Sequence, residues 1–141
     1  MRNIYEIFDD FEMASNKKER MKVIGDNLSK TLVDVLQLTF HPNFQWLITE
    51  VPEEYVPTMQ TLPGISRTQL STELRKLYLF QKGNSGAENL QPAKRVQLLC
   101  QLLEALEPRE AEVVMGILRK DQGVTGLDYK FVKEAFADLL P

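Results

Sequence analysis

The sequence predicts an all-α protein: a single-domain bundle of about seven helices, arranged as helical hairpins, over residues 1–141. Apolar residues recur at the i, i+3, i+4, i+7 spacing of amphipathic helices in nearly every periodic segment. No segment shows the sustained alternation, bounded by hairpin turns, that is typical of strands. Hydrophobic residues make up 43% of the chain and charged residues 26%, a balance typical of a globular domain.

Three helices are predicted before residue 41. Ser15 or Asn16 is placed to cap the second helix, and the third runs from about Ser29. Pro42 biases His41 away from helical angles and so ends the third helix. The residues expected to face the core are Ile4, Ile7, Phe8, Phe11, Met21, Ile24, Leu28, Leu32, Val35, Leu36 and Thr39.

The middle of the chain is predicted to be short or irregular. The apolar run at residues 44–48 suits one or two helical turns, and residues 50–66 contain prolines that exclude a long helix. Four apolar residues should pin this loop onto the body: Tyr55, Val56, Met59 and Leu62.

Four further helices are predicted toward the C-terminus. Ser66 and Gln69 form a capping box that opens a helix ending near Gly83. Pro92 and Pro108 suit the first positions of the next two helices, and Asp128 caps the last. Their inward-facing residues are Leu70, Leu74, Leu77, Tyr78, Val96, Leu99, Leu102, Leu103, Leu106, Val113, Val114, Ile117, Leu118, Phe131, Ala135, Phe136 and Leu139.

The residues that catalysis, metal binding or cofactor binding would require are lacking in the sequence. His41 is the only histidine and Cys100 the only cysteine, which is too few for a nucleophile with its base or for a zinc site. No phosphate-binding glycine motif occurs. The sequence therefore predicts a non-enzymatic binding domain without cofactors.

The cellular location follows from the same inventory. A single cysteine suits a reducing compartment. The N-terminus has no uncharged apolar stretch like that of a signal peptide, and no window reaches the roughly 20 apolar residues of a membrane helix. We expect a cytoplasmic protein without membrane contact, in the host cytoplasm if the chain is viral.

The charge is uneven along a chain whose net charge is −3. Residues 67–95 hold six basic and two acidic side chains, whereas the chain as a whole is acidic. Such an island is either a set of solvated helix faces or a local DNA-binding face. The six basic residues are Arg67, Arg75, Lys76, Lys82, Lys94 and Arg95.

Two similar loops lie between predicted helices. They read KGNSGAEN at residues 82–89 and RKDQGVTG at residues 119–126. Each combines basic residues with two glycines and a small hydroxyl residue, and each precedes a helix whose free N–H groups could bind a phosphate. Both are also compatible with ordinary helix-ending turns, and the sequence leaves both interpretations open.

Three stretches in this order resemble a known family. They are LQLTF leading to FQWLI at residues 36–48, LYLFQKGNSG at residues 77–86, and EVVMGILRKDQGVT at residues 112–125. Together they resemble the N-terminal α-helical DNA-binding domain of ATP-dependent DNA ligases, especially the compact T-even-like phage type. This chain would be a small stand-alone phage protein of that kind.

The resemblance implies duplex DNA as the partner, gripped across the minor groove through helix-hairpin loops and phosphate contacts. The residues matching the family's loops are Lys82, Gly83, Asn84, Ser85, Gly86, Arg119, Lys120, Gly123 and Thr125. Lys130 and Lys133 on the closing helix would extend this face. From the basic island, Lys94 and Arg95 complete the predicted DNA-binding set.

The sequence also departs from the ligases. No K-x-D-G motif, which carries the adenylated lysine, is present, so we expect no ligation by this chain. The acidic balance leaves an alternative open, since a fold does not determine a function. In that alternative the chain is a protein-interaction module, a phage adaptor or an inhibitor of a host protein, with an exposed apolar patch formed by Tyr55, Val56, Met59 and Leu62.

Overall fold

The computed structural model describes residues 3–57 and 68–141, and the structural statements below concern these residues. They form eight α-helices and one 3₁₀ helix, which confirms the predicted all-α bundle. The elements are α1 (Ile4–Met13), α2 (Lys17–Asp26), α3 (Lys30–Phe40), α4 (Leu70–Leu74), the 3₁₀ helix (Leu77–Phe80), α5 (Ser85–Glu88), α6 (Pro92–Ala105), α7 (Pro108–Arg119) and α8 (Tyr129–Ala135).

Side-chain caps define where several helices begin. The Asn16 side chain accepts from the backbone N–H of Glu19 at the start of α2, so Asn16 and not Ser15 is the cap. Ser29 and Asp128 cap α3 and α8 in the same way. Each cap satisfies a backbone donor that has no partner within its own helix.

Helix α7 is the centre of the bundle. It contacts α1, α3, α4 and α6, and seven of its residues are buried. The rings of Phe11 on α1 and Phe131 on α8 meet edge to face with centroids 5.0 Å apart, which joins the two ends of the chain in one core. The predicted stripes of α1, α3 and α7 are all buried.

Three predicted core residues, Leu28, Tyr78 and Val96, are wrong, and so is the expectation that Val56 pins its loop onto the body, because Val56 is 67% exposed. Val96 is only partly buried and lines a groove on the surface of α6. Leu28 is 48% exposed because α2 ends at Asp26 and Leu28 falls in the connection to α3. Tyr78 is 53% exposed because the helix expected to bury it is a 3₁₀ turn with a different periodicity.

The predicted helical turns at residues 44–48 are also wrong. This stretch is extended and forms an isolated antiparallel bridge between Trp46 and Gln81. The backbone N–H of Leu47 donates to Phe80 at 2.8 Å. Pairing with a distant segment satisfies the backbone groups that a local helix would otherwise satisfy.

The single helix predicted from Ser66 to Gly83 is divided into α4 and the 3₁₀ helix, and the 82–89 loop contains the short α5. Ser66, Met59, Leu62 and Arg67 lie outside the described residues. The bond from Leu47 to the carbonyl of Phe80 lies at the end of the 3₁₀ helix.

Helix α4 is capped from another helix. The backbone N–H of Leu70 donates to Oε2 of Glu110 on α7 at 2.9 Å. Burial raises the pKa of this carboxyl group, while the hydrogen bond from Leu70 lowers it. The two helices are therefore joined by a carboxylate placed at a helix N-terminus, where negative charge is stabilising.

We expect Glu110→Ala to lower the free energy of unfolding by about 1 kcal/mol, because the N-terminus of α4 loses its acceptor. Glu110→Gln retains an acceptor oxygen and should recover most of this loss. Urea denaturation of both variants measures the difference. Glu112→Ala is the control, since that side chain is 75% exposed on the same helix. An equal loss in Glu110→Ala and Glu112→Ala would contradict the capping role.

The helices of the described ranges include none that is both long and apolar enough to cross a membrane. Within the same ranges, no group of three or more His, Cys, Asp or Glu residues could hold a metal ion.

Candidate nucleic-acid interface

The first glycine loop is attached to residues 41–46, the segment that follows α3. The backbone N–H of Lys82 donates to the carbonyl of Gln45 at 2.8 Å, next to the bridge between Trp46 and Gln81. Phe44 stacks on Trp46 with ring centroids 6.2 Å apart and planes 10° from parallel. The start of the loop is therefore fixed through its backbone to the segment that carries these two stacked rings.

The second glycine loop is attached to the same segment from the opposite end. Helix α7 ends at Arg119, and Lys120 takes a left-handed conformation with a φ of 63°. Its Nζ donates to the carbonyls of Leu38 at 3.2 Å and His41 at 2.8 Å, which closes the C-terminus of α3. A cation at a helix C-terminus is stabilised by the carbonyls that the helix leaves unpaired.

The environment of Lys120 differs from that of a surface lysine. Burial lowers the pKa of its amine to about 8, because the charged form loses its water. Its amine group is already bonded to two carbonyls. Lys120 therefore supports residues 41–46 from within the fold, a role that the sequence did not predict for it beside that of a DNA ligand.

Within the first loop, the backbone is shaped by two predicted site residues. Gly83 has a φ of +91°, which favours glycine. The Oδ1 of Asn84 accepts from the N–H of Ala87 at 3.1 Å, so this side chain caps α5. Ser85 and Gly86 are exposed in the first turn of α5. Lys82 is exposed at the start of the loop.

Arg95, predicted as a DNA ligand, also makes contacts within the fold. Its guanidinium donates to the carbonyls of Ala87 at 3.0 Å and Leu90 at 3.4 Å. The first turn of α6 is thereby fastened to the first loop. Lys94, the residue before it, is exposed beside this attachment.

Several polar groups of the second loop are already hydrogen-bonded within the protein. The N–H of Gly123 donates to Oδ1 of Asp121 at 2.9 Å, so this amide is not open to a phosphate. Gln122 points inward, where its Nε2 donates to Thr39 and Val113. Thr125 is exposed after these residues.

Of the two predicted lysines on α8, one is bonded within the fold and the other is exposed. Lys133 donates to the carbonyls of Ala137 at 3.1 Å and Leu140 at 2.9 Å, so it closes the end of α8 and is not a free cation. Lys130 is exposed. Of the predicted set, the cations that face solvent are therefore Lys82, Lys94, Arg119 and Lys130.

A cleft that the sequence reasoning missed lies between α3 and α4. It has a volume of about 240 Å³, and Lys30 and Arg75 are among its lining residues. Phe44 also lines the cleft, so it opens beside residues 41–46. Lys30 pairs with Asp34 at 3.0 Å. The basic island in the sequence already pointed to Arg75 as a residue of interest. Nothing in the sequence indicates that Lys30 lies near Arg75.

Comparison with curated proteins finds no match. A family whose description reads "Family of unknown function (DUF6433)" matches residues 7–125. The match extends from α1 through both glycine loops to Thr125 and covers most of the chain. The chain therefore belongs to the DUF6433 family of unknown function.

Proposed function

We propose that this protein binds duplex DNA and catalyses no reaction on it. The observation that carries the proposal is the attachment of both glycine loops to residues 41–46. Lys82 bonds to this segment through its backbone, and Lys120 bonds to it through its side chain. Lys82 and Arg119 are the exposed cations next to these two attachments. Both therefore lie on loops that are bonded to the same segment, residues 41–46.

The surrounding charge supports the same surface. Lys94 is held next to the first loop through the contacts of Arg95. Arg75 lines the cleft beside Phe44, together with Lys30, whose charge is paired with Asp34. Phosphate contacts by lysine and arginine supply most of the affinity of non-specific DNA binding. A local cluster can therefore bind DNA although the whole chain has a net charge of −3.

The resemblance to the DNA-binding domain of ATP-dependent ligases supports the proposal independently, because it relates the same two loops to duplex DNA. In this chain the loops also contain residues that only shape them. Asn84, Arg95 and Lys120 hold backbone groups in place, and they position the exposed cations without contacting the DNA.

The test is a fluorescence-anisotropy titration of labelled nicked and intact duplexes at about 50 and 200 mM salt. We expect Lys82→Ala/Arg119→Ala to weaken binding roughly tenfold, because two phosphate contacts are lost. The slope of log affinity against log salt should become shallower by about 1.8, or about 0.9 for each contact.

The control has the same change in charge at a different place. Lys18→Ala/Lys22→Ala removes two exposed lysines from α2, which packs on α1. This variant should keep most of the affinity and the salt slope. Equal losses of affinity in the two double variants would contradict the assignment of the DNA-binding surface. The absence of binding at about 50 mM salt with tens of micromolar protein would contradict the proposed function.

The second candidate is a protein-interaction module, which the exposure of Val56 favours. Val56 is 67% exposed, although Tyr55 beside it is partly buried against the core. Met59 and Leu62, which were expected in the same patch, lie outside the described residues. A protein-partner function becomes the proposal if the DNA titration is negative.

A further inference from the structure

The outer face of α6 carries a groove that none of the proposed DNA-binding cations lines. Its volume is about 450 Å³, and its apolar floor consists of Ala93, Val96 and Cys100. The remaining lining residues are Gln97, Gln101, Glu104 and Glu54, the last from the stretch that follows residue 50. The groove thus combines an apolar floor with a polar and acidic rim.

Two carboxylates, those of Glu54 and Glu104, line the groove beside this floor. Burial raises the pKa of the Cys100 thiol, and the charges of Glu104 and Glu54 raise it further. Burial also raises the pKa of Tyr55 nearby, with Glu104 and Glu112 adding to the effect. No lysine or arginine lines the groove in the part of the chain that the structure describes. A partner that fits here should therefore be cationic.

The dimensions of the groove suit a helix. Its lining residues on α6 run from Ala93 to Glu104, which is eleven steps along the helix, or about 16 Å at 1.5 Å per residue. Ala93 and Val96 are small enough for a second helix to approach closely. Val56 donates its backbone N–H to Glu104 at 3.3 Å, and its exposed side chain adds apolar surface next to the rim.

We propose that this groove binds a cationic amphipathic helix of another protein. The apolar side chains of that helix lie on Ala93, Val96 and Cys100, and its lysine or arginine residues face Glu54 and Glu104. This mode of recognition places an apolar helix face in an apolar groove, while the charges at the rim select the partner.

The probe is a fluorescein-labelled helical peptide of about 15 residues, built from Leu and Ala on one face and Lys on the other. Its matched control carries Glu in place of Lys. We expect the Lys peptide to bind saturably with a Kd of about 10–100 μM and the Glu peptide to bind at least tenfold more weakly. Anisotropy of the labelled peptides measures both affinities.

The variant Val96→Lys places a cation in the floor and should weaken binding of the Lys peptide roughly tenfold, since it adds repulsion and removes apolar contact. Glu54→Gln at the rim should weaken it about threefold, as expected for an exposed ion pair. Leu28→Lys is the matched control, because it adds the same charge at a residue that is 48% exposed outside the groove. Thermal unfolding followed by circular dichroism checks that each variant is folded.

Three results would overturn the proposal. They are the absence of saturable binding up to about 1 mM peptide, equal affinity for the Lys and Glu peptides, and an equal loss in Val96→Lys and Leu28→Lys. A dimer in sedimentation that Val96→Lys dissociates would also overturn it, since a second copy would then occupy the groove. Val96→Lys adds a cation and should not weaken DNA binding, so failure here is distinguishable from failure of the DNA function.

Discussion

Gly116→Ala is expected to lower the free energy of unfolding by about 2 kcal/mol, although alanine in a helix normally stabilises by 0.5–1 kcal/mol relative to glycine. A Cβ at Gly116 would lie 2.3 Å from Oε1 of Gln122 and 2.6 Å from its Cδ. The Gln122 amide must therefore leave its place against α7. It would lose its hydrogen bonds to Thr39 at 3.1 Å and to the Val113 carbonyl at 3.0 Å.

Urea denaturation measures this loss, and a melting temperature lower by roughly 5–10 °C should accompany it. The double variant Gly116→Ala/Gln122→Ala separates the two contributions. Because the small side chain at position 122 no longer meets the new Cβ, adding Gly116→Ala to Gln122→Ala should be neutral or stabilising. If Gly116→Ala alone stabilises the protein, the close approach of Gln122 is not the reason why position 116 requires glycine.

Lys120→Met is expected to lower the free energy of unfolding by about 1–2 kcal/mol, because the carbonyls of Leu38 and His41 lose their donor. Methionine preserves much of the aliphatic contact, so the loss reports mainly on the hydrogen bonds. The substitution should also weaken the proposed DNA binding, since residues 41–46 lose the contact that joins them to the second loop. The control is Arg119→Met, which removes an exposed cation and should leave stability unchanged.

The pH dependence of Lys120→Met provides a separate test. The pKa of Lys120 is about 8 in the folded protein and has a reference value of 10.5. Between these values the unfolded chain holds a proton that the folded chain has released, so stability rises with pH. The neutral amine still has two N–H groups for its two carbonyls. The stability difference between wild type and Lys120→Met should therefore grow from about pH 8 to pH 10, as measured by urea denaturation at each pH. A constant difference over this range would contradict the burial of the charge.

Local patterns in the sequence were sufficient to predict the long helices. The stripes of α1, α3 and α7 are readable because a buried helix face repeats every 3.6 residues whatever it packs against. The caps at Ser29 and Asp128 are equally local, since a cap bonds to a residue of its own first turn. The two glycine loops could be found for the same reason, because left-handed backbone conformations favour glycine at Gly83 and Gly123.

Contacts between distant residues decided the rest. Residues 44–48 are extended because their partner is the stretch around Gln81, and no local feature of either segment reveals the other. The start of α4 is capped by Glu110, which is 40 residues away. Interactions of this kind depend on where the packed helices place each backbone group.

The roles of the basic residues show the same division. From the sequence, Arg119 and Lys120 are two adjacent cations in one glycine loop. The left-handed backbone at Lys120 turns its side chain onto the end of α3, while Arg119 remains exposed. By itself the sequence determined the helical periodicity, the positions of the turns and the amount of charge. Only the tertiary structure decided which charges serve the fold and which face solvent, because a cation's role depends on the acceptors that the folded chain brings within its reach.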